Sequence, residues 1–132
     1  MKVRTKMKIR FEGNVREVDT LFDSGASISV MSSLTFRKLF GAKWKKLDKP
    51  IRLVLVNGDI IVVDKYVVID ILIGNTFIPI RIFLSDDIKE KAIVDAKEIK
   101  IPDLIIGAGT MDELGIELHP EKGIVMKGLL LI

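Results

Sequence analysis

Apolar and polar residues alternate with a period of two along most of the chain, the pattern of half-buried β-strands. Val3, Thr5, Met7, Ile9 and Phe11 fall on one side of the first segment, and Lys2, Arg4, Lys6, Lys8 and Arg10 on the other. Glu12-Gly13-Asn14-Val15 carries a turn signal, and the alternation returns through Phe22, which predicts a hairpin. It breaks at Asp23 to Ser27, resumes over Ser29 to Ser33, and gives way to a short helix over Leu34 to Phe40. Ser33 is the expected N-cap and Gly41 the left-handed residue that ends this helix.

Pro50 introduces a second hairpin, Ile51 to Val56 and Ile60 to Val63, around Asn57-Gly58. A third joins Tyr66 to Ile73 and Phe77 to Leu84 through Gly74-Asn75-Thr76, with Pro79 calling for an edge or a bulge. Ser85 to Lys100 is charged and irregular, and reads as a short helix or a long loop. Leu104 to Gly107 has the fully apolar character of a buried strand. Thr110-Met111-Asp112-Glu113 reads as a capping box opening a short helix that Gly115 stops, followed by closing strands at Ile116 to Leu118 and Ile124 to Ile132. There is no repeat or linker, so residues 1–132 are expected to form one mostly β domain.

Composition narrows the chemistry. The chain of 132 residues has no cysteine, which removes disulfides, thiolate metal sites and cysteine nucleophiles. His119 is the sole histidine, so a Ser-His-Asp triad would have to use it, and a multi-histidine metal site is impossible. No apolar stretch approaches the ~20 residues that span a bilayer, and no signal-peptide core is present, so a cytoplasmic protein without membrane contact is expected. With 20 Ile, no Gln and a Lys- and Glu-rich charged set, residue usage is similar to that of thermophile proteins. The net charge of +3 is concentrated on the first strand and on Lys43, Lys45, Lys46 and Lys49 around Trp44. These read more readily as solvated edges than as a nucleic-acid surface. Trp44 is expected to cover a core edge rather than face a substrate, and His119, next to Pro120, is given no role.

The break at Asp23-Ser24-Gly25 places a carboxylate, a hydroxyl and a glycine at the end of an apolar strand. These are common turn formers, yet an unpaired carboxylate between apolar strands is costly. Leu21-Phe22-Asp23-Ser24-Gly25-Ala26-Ser27 resembles the active-site turn of the retropepsin-like (retroviral-type) aspartic proteases. Ile105-Ile106-Gly107, ahead of a short helix, is similar to that family's second hallmark, an apolar pair plus glycine. The hairpin at 51–63 lies where its flap belongs.

The resemblance implies a single-domain closed barrel of the retroviral aspartic protease type, with a flap hairpin, one or two short helices and an insertion at about 85–100. It implies Asp23 as the catalytic aspartate, with Ser24, Gly25 and Ala26 supporting the active-site turn, Ser24 bonding across to a partner's turn. Asn57 and Gly58 at the flap tip and Ile105 in the wall become candidate substrate contacts, although Asn57 and Asp59 read more readily as plain turn residues than as ligand contacts. Gly58 is the tip's sole glycine, a departure from the glycine-rich flaps of many retroviral enzymes. No metal or other cofactor is implied.

Such chemistry needs two carboxyl groups that share a proton: one activates water and the other protonates the carbonyl oxygen. Asp19-Thr20 is followed by Leu21, and Asp112-Glu113 by Leu114, so the chain offers one Asp-hydroxyl-Gly turn. A two-fold homodimer supplies the second carboxylate, and Gly128 to Ile132 either pairs with its copy across the axis or closes its own sheet. The leading reading is therefore a homodimeric aspartic endopeptidase acting on peptide or protein substrates. The alternative is a catalytically inactive, dimeric peptide-binding or scaffold domain with the same fold; nucleic-acid binding ranks last.

Overall fold

The computed structural model describes residues 1–55 and 58–127. The first hairpin forms as the alternation predicts: β1 (Lys2–Phe11) pairs antiparallel with β2 (Asn14–Asp23) through a two-residue turn. Glu12 and Gly13 take φ of 49° and 81° there, the left-handed pair that matches the strand twist. β3 (Val30–Ser32) leads into helix α1 (Ser33–Phe40). The N-cap is Ser32 rather than Ser33: Ser32 is extended, and its Oγ accepts a bond from the Thr35 amide. Gly41, at φ 87°, ends the helix as expected.

The next strands are longer than the sequence suggests. β4 starts at Lys45 and runs to Val54, with an irregular register between Lys46 and Ile51 that accommodates Pro50. The two predicted segments at 60–63 and 66–73 are one 14-residue strand, β5 (Ile60–Ile73), because Asp64 and Lys65 keep the alternation going. β6 (Thr76–Ser85) returns along it in regular register, Asp70 opposite Pro79. Pro79 fits because the other side of β6 pairs only later, where Phe83 to Ser85 meet β3.

The segment expected as a helix or loop is instead a hairpin, β7 (Lys91–Val94) and β8 (Lys97–Lys100). Asp95 and Ala96 both take positive φ at its turn, without the glycine that signals such turns. β9 (Leu104–Ile106) precedes helix α2 (Ala108–Leu114), and the chain continues through β10 (Ile116–His119) and β11 (Gly123–Met126). The expected capping box is absent. α2 begins two residues before Thr110, Gly107 is its N-cap, and Thr110 spends its hydroxyl on Ser29. The proposed tail pairing at Gly128 to Ile132 lies outside the described residues.

Seven strands form one sheet in the order β1-β2-β9-β3-β6-β5-β4, and β1 also meets β5 through Ile9 opposite Ile71 and Arg10 opposite Asp70. The sheet wraps a core of Ile9, Val18, Phe22, Ile69, Ile82 and Leu104, all 1% exposed or less. Each such side chain contributes about 1.5–3 kcal/mol on leaving water. Trp44 rests on Phe36, with ring centroids 6.3 Å apart, and covers one edge of this core as expected. His119 Nδ1 accepts from the Glu121 and Lys122 amides and so braces its local turn.

The alternating cations of β1 are mostly paired with acids: Arg4 with Asp19, Lys6 with Glu17, Arg10 with Asp70. The hydrogen-bonded Arg4 guanidinium holds the Asp19 carboxyl below its ordinary range, against the opposing effect of burial. Asp103 Oδ2 accepts from the Asp19 amide at 3.0 Å, which ties β2 to the residue preceding β9.

Candidate active site

β2, an interior strand between β1 and β9, ends at Asp23, and the chain then turns sharply. Asp23 Oδ1 accepts from the Gly25 amide at 2.9 Å, and the Asp23 carbonyl accepts from Ala26 N at 3.1 Å. This short-range bonding ends the strand at that point. Space at Gly25 is tight: a Cβ there would sit 3.2 Å from Asp23 Oδ1, which would have to give way slightly. The Asp23 side chain is 19% exposed, so it is sheltered yet open to solvent at one face, with Lys2 Nζ 4.0 Å from Oδ2.

The turn is pressed against the start of α2. Ala108 N donates to the Ala26 carbonyl at 2.7 Å, and Gly109 N to the Ser27 carbonyl at 3.3 Å. Gly107 N donates to Ser29 Oγ at 3.1 Å, and Ser29 Oγ lies 2.6 Å from Thr110 Oγ1. Two backbones meet here with no room for a side chain: a Cβ on Gly107 would come within 2.5 Å of the Ile28 carbonyl oxygen. β9, just before it, lies between β2 in parallel and β3 in antiparallel register, so strand and turn hold one another from both sides. The Asp23 turn is thereby held by backbone contacts to the start of α2 as well as by the Ser29 hydroxyl.

No protein-family model matches the sequence, and no curated protein matches it. Solved structures do. The crystal structure of the retroviral protease-like domain of Ddi1 from Leishmania major superposes with a TM-score of 0.62 at 15% identity, covering 96% of this chain and 90% of that one. EIAV protease in complex with the inhibitor HBY-793 gives 0.55 at 19% identity, covering 88% of this chain and 92% of that one. The fold is retropepsin-like.

Within this retropepsin-like frame, Asp23, Ser24, Gly25 and Ala26 form one compact turn. Ser24 points to β1: its N and Oγ both donate to the Met1 carbonyl at 3.1 Å, and Met1 N donates to Ser24 Oγ at 2.8 Å. Ile105 is half-buried in β9, opposite Leu21 and Val30. Gly58 is exposed at φ 89°, its amide bonded to the Leu55 carbonyl at 2.9 Å near the end of the β4–β5 hairpin. Asn57 lies outside the described residues. Among the described residues no three His, Asp or Glu side chains are grouped to hold a metal ion, and no helix is long and apolar enough to cross a membrane.

Sequence reasoning did not find Ser29, Gly109 and Thr110, the residues that brace the turn. The signal was present in Gly107-Ala108-Gly109: three small residues across the start of a helix mark a close backbone approach.

Proposed function

We propose that this protein is a homodimeric aspartic endopeptidase in which each subunit contributes Asp23. One observation carries the reading: the carboxylate sits on a turn packed against Gly107, where a side chain would collide with the backbone of 26–28, in a fold shared with retroviral proteases. A backbone clamp of this kind suits a group that must be aimed rather than merely solvated.

A two-fold axis beside the turn brings two Asp23 carboxyl groups close enough to share a proton. The ionised group takes a proton from water as the water attacks the peptide carbonyl, and the protonated group donates to the carbonyl oxygen. The proton positions then reverse as the amine leaves. The apparent pKa values belong to the pair. An extended peptide lies under the β4–β5 hairpin as an added strand, with the 51–63 segment acting as flap, Asn57 and Gly58 at its tip and Ile105 in the wall. In this reading residues 1–132 are one half-site domain, the β1–β5 contact closes the sheet into the family's barrel, and the 85–100 hairpin is a peripheral insertion.

Digestion of a peptide library at acidic to neutral pH tests this. Wild type is expected to yield products and Asp23→Asn to lose at least about a hundredfold in rate, the lower range for removing an acid/base group. Equal cleavage by the two proteins would sink the proposal. A second reading, a dimeric peptide-binding scaffold, draws on Ser24, whose hydroxyl is engaged by Met1 instead of being free to reach a partner's turn. Peptide binding without products would favour it.

A further inference from the structure

We propose that the turn Ser85-Asp86-Asp87 is a latch on the base of the β4–β5 hairpin, with Ser85 and Asp87 as positioning residues for substrate capture. The inference rests on reading that hairpin as the flap.

The topology creates the need for a latch. β5 pairs with β6 from Ile73 down to Lys65, opposite Leu84, and toward the hairpin tip its remaining partner is β4. Val62 sits just past the point where β6 ends, so its amide and carbonyl would have no strand to bond on that side. The turn supplies both partners. Asp87 Oδ2 accepts from the Val62 amide at 2.7 Å, and Ser85 Oγ donates to the Val62 carbonyl at 2.6 Å. The Asp87 amide donates to Ser85 Oγ at 3.1 Å, so the two gripping groups also hold each other. Lys65 adds a second tie one step lower, with its ammonium 3.0 Å from Asp86 and 2.7 Å from Asp64.

Ser85 is fully buried, whereas the hairpin beyond Val62 is open: Val54 is 74% exposed and Ile60 52%. The boundary between the part of β5 held by the sheet and the part held by β4 alone therefore falls at Val62. A charge-assisted bond at such a boundary sets the angle at which the hairpin leaves the body. A peptide entering beneath it binds more tightly when that angle is already fixed.

Asp87 is exposed, so Asp87→Ala leaves the core untouched. Hydrogen exchange of the free protein reads the latch without any need for activity. In Asp87→Ala the amides of Leu53 and Ile61 should exchange about tenfold faster or more, while those of Ile69 and Ile82 stay unchanged, as expected for loss of a bond to a charged acceptor. Asp87→Asn, which keeps an acceptor oxygen, should restore most of the protection. With a library-derived peptide, KM should rise about fivefold to tenfold while kcat stays within about twofold. Faster exchange confined to the Val62 amide overturns the latch, and an unchanged KM alongside faster exchange at Leu53 and Ile61 overturns its role in substrate capture. Should wild type cut no peptide, the proposed function fails, and the exchange comparison alone still decides whether the latch exists.

Discussion

A methyl group on Gly107 would sit 2.5 Å from the Ile28 carbonyl oxygen and 2.8 Å from that of Ala26, both backbone atoms, the second held by the Ala108 amide of α2. The same methyl on Gly25 would meet only a side-chain oxygen, at 3.2 Å. Gly107→Ala is therefore expected to lower stability by about 1–3 kcal/mol, the usual cost of forcing atoms into a filled space. Gly25→Ala should cost less than about 1 kcal/mol while displacing Asp23. Urea midpoints distinguish the two, and equal losses would show that the crossing of backbones is not the tight point of the fold. The Arg4–Asp19 pair makes a second prediction at this scale. Asp19 has a lower pKa folded than unfolded, chiefly through the Arg4 hydrogen bond, so its contribution is present above the unfolded value of about 3.9 and is lost as pH falls through the folded one. Because Arg4 is 42% exposed, that contribution is small, below about 1 kcal/mol at neutral pH. Asp19→Asn should flatten the acid limb of the stability curve and leave its shape above pH 6 unchanged.

Lys65 shows how an element interior tolerates a charge. Burial opposes its ammonium, yet hydrogen bonds to Asp64 and Asp86 outweigh that and raise its pKa. The sign follows: this contribution is complete below the unfolded lysine pKa of about 10.4 and disappears only as pH rises through the folded value. Lys65 is 7% exposed while both carboxylates face water, so the two halves of the cluster are not equivalent. Lys65→Met should stay within about 1 kcal/mol of wild type, since the acids it leaves remain hydrated. Asp64→Asn with Asp86→Asn should cost about 1–3 kcal/mol, because the buried ammonium loses its charged partners. Thermal melts at pH 7 check that order. Lys65 also explains part of what the sequence hid. Asp64-Lys65 looks like the end of a strand, and the partners that allow β5 to run through come from the distant residue Asp86 as well as from its neighbour. The β7–β8 hairpin was hidden for a related reason: Asp95 and Ala96 take positive φ without a glycine to announce it. By contrast β1, β2, the β5–β6 hairpin and the Asp23 turn were legible, since period-two burial and turn chemistry are local properties. The bracing of the turn by Ser29, Gly109 and Thr110 was not, because it pairs residues about 80 positions apart.

At the scale of the whole molecule, one chain offers one Asp-hydroxyl-Gly turn, and acid-base peptide hydrolysis by shared carboxyls requires two. If the second comes from another copy, activity must follow the concentration of pairs rather than of chains. Dilution should reduce activity per chain and lower the melting temperature together, since association stabilises the folded subunit by mass action. Mixing gives the sharper expectation. Asp23→Asn keeps the size of the side chain, so it should pair with wild type about as well as wild type pairs with itself. In an equimolar mixture at exchange equilibrium about one quarter of the pairs carry two Asp23 carboxylates, by random association of two-fold partners. Activity per wild-type chain should then fall to about half that of wild type alone at the same total protein, and to about one tenth with a ninefold excess of the variant. A protein whose chains act singly would show no loss at either ratio. Sedimentation of the same mixtures supplies the control: the fraction of dimers should stay constant while activity falls, which separates a poisoned pair from a broken one.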